Sequence, residues 1–164
     1  VVYPSQLESK MVKALLKAHP YEEVAYDLIP LSNPSSQIGA GMTGELVEEM
    51  DEMQFLNGLK SKMRAESIRH TALRGKKVKK IAVCGGSGSF LLNAAIASQA
   101  DIFITADFKY HQFFDADGRI VIADIGHYES EQFTMELFYE ILRKQFSTFA
   151  LQLTKINTNP IKYL

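Results

Sequence analysis

The sequence is poor in cysteine, in long apolar runs and in clustered charge of one sign. Its single cysteine, Cys84, excludes an internal disulfide framework and suits a reducing compartment. Cys84 lies in the apolar run 81–84, where a buried small hydrophobe is favoured over a reactive thiol. No apolar run approaches the roughly 20 residues that a membrane-spanning helix needs. We therefore expect a cytoplasmic protein with no membrane partner.

Charge of the two signs is nearly balanced: the formal net charge is −1, and the basic residues form one short cluster at 74–80. Because binding to a nucleic-acid backbone needs a larger basic face, we interpret this cluster as a solvated turn and expect no nucleic-acid partner. Apolar residues make up 46% of the 164, which is enough for a packed core. The chain begins at Val1, inside an apolar run, and we interpret it as a fragment.

The first 33 residues predict a small α/β unit. Residues 1–3 and 21–31 are predicted strands, and Ser5 is the predicted N-cap of a helix, with Glu8 completing a capping box. Because one helix and two strands cannot close a core, this unit needs a partner. The turn-rich residues 33–37 predict a linker. We therefore place domain boundaries at 1–33 and 34–164.

The clearest pattern lies in the second domain. Three nearly continuous apolar runs, 80–84, 101–105 and 119–124, are separated by the helix-like stretches 91–99 and 108–116. Such alternation predicts an α/β fold with an open, mostly parallel sheet and helices on both faces, preceded by the small incomplete lobe. Further predicted elements are helices at 53–63 and 130–145 and strands at 67–73 and 149–156.

Ligands of open parallel sheets bind beyond the C-terminal ends of the strands. The first apolar run ends in a glycine-rich turn containing Gly85, Gly86 and Ser87. Two interpretations stay open for this turn: backbone N–H groups that hold an anionic substrate, or a tight strand-to-helix turn.

Two pairs of ionisable residues follow the next two strands at a spacing of four residues. Asp107 and His111 form the first pair, and His127 and Glu131 form the second. On a helix this spacing places both side chains on one face, where imidazole and carboxylate donors can clamp a divalent metal. A solvated ion pair is the alternative for either pair.

Residues 81–89, 104–111 and 124–131 together resemble the three C-terminal motifs of the NIF-three-like family. Many members of that family are named type-2 GTP cyclohydrolase 1 homologues. Residues 18–27 are similar to the end of the ferredoxin-like domain, akin to PII and CutA-type proteins, that is inserted in the longer members. The resemblance covers nearly the whole chain, in the same order.

The resemblance implies a site for two divalent ions, zinc, iron or manganese, between two α/β halves. His127 and Glu131 match the family motif Gly-His-x-x-x-Glu and would be metal ligands, with the remaining ligands outside this chain. Asp107 and His111 match positions that line the same cleft, which implies a catalytic or substrate-facing role. The family also implies assembly as homohexamers and a small-molecule nucleotide substrate.

Two departures from the family pattern bear on function. Met42 stands where a basic residue is usual, and Ala106 stands where glycine is usual. Two functions therefore stay open: a metal-dependent hydrolase of the GTP cyclohydrolase type when the site is complete, or a non-enzymatic metal-binding scaffold. In either case we expect the isolated chain to be inactive.

Overall fold

The computed structural model describes residues 1–33 and 38–164. The chain divides into two compact units, Val1–Ser36 and Gln37–Leu164. The predicted linker at 33–37 lies outside the described residues, except for Asn33. Among the described residues, no helix combines the length and the apolar character needed to cross a membrane.

In the first unit, residues 1–33 form one helix, α1 (Glu8–Ala18), preceded by a 3₁₀ turn at Ser5–Leu7. The predicted capping box is wrong, because the 3₁₀ turn begins at Ser5 and no side chain caps either element. The predicted strands at 1–3 and 21–31 are also wrong, since neither segment pairs with another strand within the described part of this unit. A strand needs a partner for its backbone groups, and an alternating sequence does not supply one.

The second unit is built on a five-stranded sheet in the order β1-β3-β4-β5-β2. Its strands are β1 (Met42–Asp51), β2 (Arg69–His70), β3 (Lys77–Ser87), β4 (Ile102–Ala106) and β5 (Val121–Asp124). The three central strands are parallel, and the two edge strands pair with them in antiparallel orientation. The open, mostly parallel sheet is thus confirmed, and the predicted strand at 67–73 is reduced to two residues.

In the described part of this unit, α2 (Glu52–Lys62), α3 (Leu92–Ala97) and the 3₁₀ helices Ser89–Leu91 and Tyr110–Ala116 lie between strands. Two further helices, α4 (His127–Glu131) and α5 (Thr134–Gln145), follow the last strand, β5. The helix predicted at 130–145 is divided, because a turn at residues 132–133 separates α4 from α5. The side-chain amide of Gln132 holds this turn by donating to the carbonyl of Met63, 2.7 Å away. The strand predicted at 149–156 is wrong: these residues pair with no strand of the described chain.

The central strands bury side chains on both faces. Phe103 and Ile122 pack in one apolar cluster with residues of α3 and of the 3₁₀ helix Tyr110–Ala116. Ile102 and Val121 pack in a second cluster, with residues of α2. Successive residues of a strand point to opposite faces, so each strand feeds both clusters. Helices on both faces are confirmed, and Cys84 is buried in the first cluster, as predicted.

A buried ionic network closes the end of the sheet where the parallel strands begin. The carboxylate of Glu52, at the start of α2, accepts hydrogen bonds from the backbone N–H groups of Arg74 and Gly75. The Arg74 guanidinium also contacts Asp101 at 2.9 Å and is largely buried. The interpretation of residues 74–80 as a solvated turn is therefore wrong for Arg74.

Asp101 is held ionised by this network. Partial burial by itself raises the pKa of a carboxyl group, but hydrogen bonds from the backbone N–H groups of Lys79 and Lys80 and from Arg74 outweigh it. The net effect is a lowered pKa of Asp101.

Candidate functional site

The opposite end of the sheet brings three strand ends together. β3 ends in Gly86 and Ser87, β4 is followed at once by Asp107, and β5 leads through Gly126 into α4. Ser87 pairs with Ala106 in the parallel ladder, so the first two ends are direct neighbours. Because parallel strands end at the same edge, residues 20 to 40 positions apart in sequence meet here.

His127 lies between two carboxylates. Its Nδ1 is 2.6 Å from Asp107 Oδ2, and its Nε2 is 3.3 Å from Glu131 Oε2. All three side chains are about half exposed. An ionised aspartate only accepts hydrogen bonds, so Nδ1 carries the proton and donates it to Asp107. In the neutral ring, the lone pair of Nε2 then faces the side of Glu131.

The pKa of His127 is raised above its ordinary value. The largest cause is the hydrogen bond to Asp107, which stabilises the protonated ring, and partial burial opposes it. The negative charges of Asp107 and Glu131 and the Glu131 hydrogen bond raise it further. The pair of carboxylates thus makes this position attractive to a cation of either kind, a proton or a metal ion.

Asp107 does not pair with His111 as its spacing predicted. Its backbone is left-handed, with φ of 59°, and the 3₁₀ helix of this segment begins only at Tyr110. The two residues therefore share no helical face, and the side-chain partner of Asp107 is His127. His111 is exposed, and its ring meets the edge of the Tyr110 ring at 5.3 Å between centroids.

The glycine-rich turn packs directly against α4. Gly86 has φ of +62°, and a Cβ at this position would lie 2.5 Å from Glu131 Oε1 and 3.4 Å from His127 Nε2. Gly85 is less constrained, since its Cβ would meet only ordinary contacts at 3.9 Å. The Gly86 N–H already donates to Ser130 Oγ at 2.8 Å. The turn thus supports α4 through Gly86, and of the three predicted substrate residues Gly85 and Ser87 are exposed.

Three residues at this end of the sheet were not identified from the sequence. Ser130 Oγ accepts from Gly86 and donates to the carbonyl of His127 at 2.8 Å, which fastens α4 to β3. Glu129 is buried and accepts a hydrogen bond from the side-chain amide of Asn159. The available signal was positional: Glu129 and Ser130 lie between the two residues of the His127 and Glu131 pair.

Asp124, at the end of β5, holds the loops around the site. Its buried carboxylate accepts from the N–H groups of Phe108 and Gly126, at 2.9 and 3.1 Å, and forms an ion pair with Arg69. These contacts fix the segment that follows Asp107 and the turn that precedes His127. Asp124 therefore supports the site through the backbone.

The donor set fits part of a metal site. His127 and Glu131 offer one nitrogen and one carboxylate from adjacent turns of α4, and Gly86 leaves the space beside them free of a side chain. Within residues 1–33 and 38–164, no group of three or more His, Cys, Asp or Glu side chains is arranged to hold a metal ion. A metal bound here would need further ligands.

Comparisons with known proteins agree on one family. The family model described as Duf34/NIF3 (NGG1p interacting factor 3) matches residues 5–160. A Bacillus subtilis protein named GTP cyclohydrolase 1 type 2 homolog is 32% identical over 99% of this chain and 45% of its own length. A Staphylococcus epidermidis protein of the same name is 35% identical over 92% of this chain and 42% of its own length. The chain thus spans less than half of these relatives.

Solved structures share the fold. A Bacillus cereus protein related to NIF3 superposes with a TM-score of 0.75 at 33% identity, over 99% of this chain and 46% of that protein. A Staphylococcus aureus protein superposes with a TM-score of 0.77 at 28% identity, over 98% of this chain and 53% of that protein.

Proposed function

Because the chain belongs to the Duf34/NIF3 family, we propose that it supplies one half of a divalent-metal site, with His127 and Glu131 as the ligands. The observation that carries the proposal is the arrangement of His127, whose Nδ1 is held by Asp107 while its Nε2 is directed toward Glu131. A carboxylate on the second ring nitrogen is the usual support of a metal-binding histidine, since it sets the tautomer and raises the basicity of the ligand.

The complete protein would hold two ions, zinc, iron or manganese. The mixed nitrogen and carboxylate donors of this chain suit all three metals. The chain covers 45% of the length of its Bacillus subtilis relative, and the remaining ligands would come from the part that it does not match. Assembly into a homo-oligomer is part of the same proposal.

We further propose that the complete site is hydrolytic. A bound ion would polarise the substrate and lower the pKa of a bound water. Asp107 keeps the proton on Nδ1 of His127, and its half-exposed carboxylate is one candidate acceptor for a proton released at the site. His111 is a second candidate for proton transfer, and Gly85 and Ser87 are the exposed residues of the turn that would face the substrate.

The proposed substrate class is a nucleotide, in keeping with the name that the relatives carry. One residue favours the alternative, a metal-binding scaffold without turnover. Met42, at the start of β1, is largely exposed where the family resemblance leads us to expect a basic side chain. An anionic phosphate would lack that cation here. Turnover of GTP by the full-length protein, measured with and without the His127→Ala substitution, separates the enzyme from the scaffold.

The metal site is tested by titrating the chain with Zn²⁺ and following the backbone amide resonances of α4 by NMR, which detects weak binding and can be read in every variant. We expect saturable shifts in the parent chain and an affinity at least about tenfold lower in His127→Ala and Glu131→Gln. His70→Ala, at an exposed histidine on β2, is the matched control and should bind as the parent does. Equal Zn²⁺ binding by the parent and the two ligand variants would show the assignment to be wrong.

A further inference from the structure

The chain segment that follows α5 reaches back to the proposed ligands. Asn159 Nδ2 donates a hydrogen bond to Glu129 Oε1 at 3.1 Å, and Glu129 lies on α4 midway between His127 and Glu131. We propose that Asn159 is a positioning residue, which acts through Glu129 to set the orientation of α4 and hence of both ligands. This inference rests on the proposed metal site.

α4 depends on contacts from outside the helix. It has five residues, and its N-cap, Gly126, supplies no side-chain hydrogen bond. So short a helix is unstable by itself, because too few backbone hydrogen bonds form for the residues that are ordered. Its position therefore depends on the side chains that fasten it to the rest of the unit: His127, Glu129, Ser130 and the adjoining Gln132.

Glu129 is placed to control the rotation of α4 about its axis. Residues four apart share a helical face, so His127 and Glu131 both face the open end of the sheet. Glu129, two residues from each, points to the opposite side and is 5% exposed. A fastened side chain on that side opposes rolling of the helix, which would move both ligands together.

The contact of Glu129 with the preceding turn is close. Gly126 has φ of +91°, and a Cβ there would overlap Glu129 Oε2. The hydroxyl of Tyr163 lies 3.6 Å from the position that this Cβ would take. Glycine at this position leaves room for the Glu129 carboxylate close to the turn.

Asn159 is itself held in one orientation. Its backbone N–H donates to Asn157 Oδ1 at 2.8 Å, and its Oδ1 accepts from the N–H of Ile161 at 3.1 Å. The side-chain oxygen is thus committed, which leaves the NH₂ group directed at Glu129. The Asn159 amide that donates to Glu129 is therefore already ordered before a metal ion binds.

The test uses the 164-residue chain and three variants. Asn159→Ala removes the donor, and Asn159→Asp places a second carboxylate against Glu129. The double variant E129Q/N159D restores the hydrogen bond in the reversed direction, with the amide at position 129 donating to the carboxylate at position 159. Lys155→Ala, at an exposed residue of the same segment, is the matched control. Amide exchange in β4 verifies that each variant keeps the folded sheet; if Asn159→Asp unfolds, Asn159→Ala decides.

The readout is Zn²⁺ affinity from the backbone amide resonances of α4. We expect about tenfold weaker binding in Asn159→Ala, a larger loss in Asn159→Asp, and recovery in the double variant. A residue that only stabilised the tail would leave Zn²⁺ affinity unchanged. If the Asn159 variants bind as the parent does while His127→Ala loses binding, the positioning role is wrong and the metal site stands. If His127→Ala has no effect, both proposals are wrong.

Discussion

At the scale of single residues, the site is defined by the environment of His127. One ring nitrogen meets Asp107 at 2.6 Å and the other meets Glu131 at 3.3 Å. The left-handed backbone of Asp107 directs its carboxylate across the sheet edge, a conformation that is uncommon for residues other than glycine, asparagine and aspartate.

Asp107→Asn is expected to lower the pKa of His127, because it removes the largest cause of the upward shift. In the parent chain the pKa of the folded state is raised, so the stabilisation from this pair is fully present below about pH 6.5, the ordinary value of histidine. It is lost as the pH rises through the raised pKa.

The measurement is an NMR titration of the His127 ring in both proteins. Asp115→Asn, at an exposed aspartate on the 3₁₀ helix, is the control and should leave the curve in place. An unchanged His127 titration in Asp107→Asn would contradict the assigned hydrogen bond.

Gly86→Ala is expected to disturb both stability and metal binding. The positive φ makes alanine unfavourable by about 1–2 kcal/mol, and the new Cβ would lie 2.5 Å from Glu131 Oε1, so the ligand must move. Urea unfolding measures the first effect and Zn²⁺ titration the second. Gly85→Ala is the matched control, with ordinary contacts at 3.9 Å. Equal behaviour of the two variants would argue against a close packing of Gly86 on Glu131.

At the scale of elements, the two ends of the sheet carry charged residues with different roles. The end where the parallel strands begin is closed by Glu52, Arg74 and Asp101, which are charged but mutually paired. The end where they finish carries the half-exposed carboxylates around His127. Charge at the first end stabilises α2 and the connection into β3, whereas charge at the second end remains available to a ligand.

Glu52→Ala is expected to destabilise the chain by about 3–5 kcal/mol, since it leaves the buried Arg74 guanidinium with one carboxylate fewer and two backbone N–H groups without an acceptor. The free energy of unfolding in urea gives the value. Glu49→Ala is the control: its pair with Lys77 spans 3.7 Å between exposed side chains and should cost no more than about 1 kcal/mol. A loss for Glu52→Ala as small as that of the control would contradict a structural role for the network.

At the scale of the whole molecule, stability is concentrated in the second unit. β4 and β5 are buried along their whole length, whereas α1 has no buried residue. An isolated helix of 11 residues is marginal in water, because helix formation needs a costly first turn. The first unit therefore contributes little of the free energy of unfolding of this chain.

Hydrogen exchange followed by mass spectrometry is expected to show this difference. Amides of α1 should exchange by local opening, orders of magnitude faster than those of β4, which require global unfolding. Exchange of β4 in the Lys13→Ala variant, at an exposed position of α1, should equal that of the parent. Protection of α1 comparable with that of β4 would show that the first unit has a stable partner.

The sequence by itself determined the central strands and the spacing of the ligand pair. The apolar run 101–105 supplies most of β4, Ile102–Ala106, which is buried along its whole length, and burial follows from local composition once a sheet forms. His127 and Glu131 lie four apart on one helix, so their contact is also local. These features were predictable because each depends on residues close together in the chain.

The tertiary structure alone decided which distant residues meet. The alternating residues 21–31 and 149–156 form no strand in the described chain, because a strand exists only where a partner offers its backbone. Asp107 meets His127 rather than His111, and Asn159 meets Glu129, across gaps of 20 and 30 residues. Spacing along the chain carries no information about such contacts, because it is the packing around the sheet that brings the two residues of each pair together.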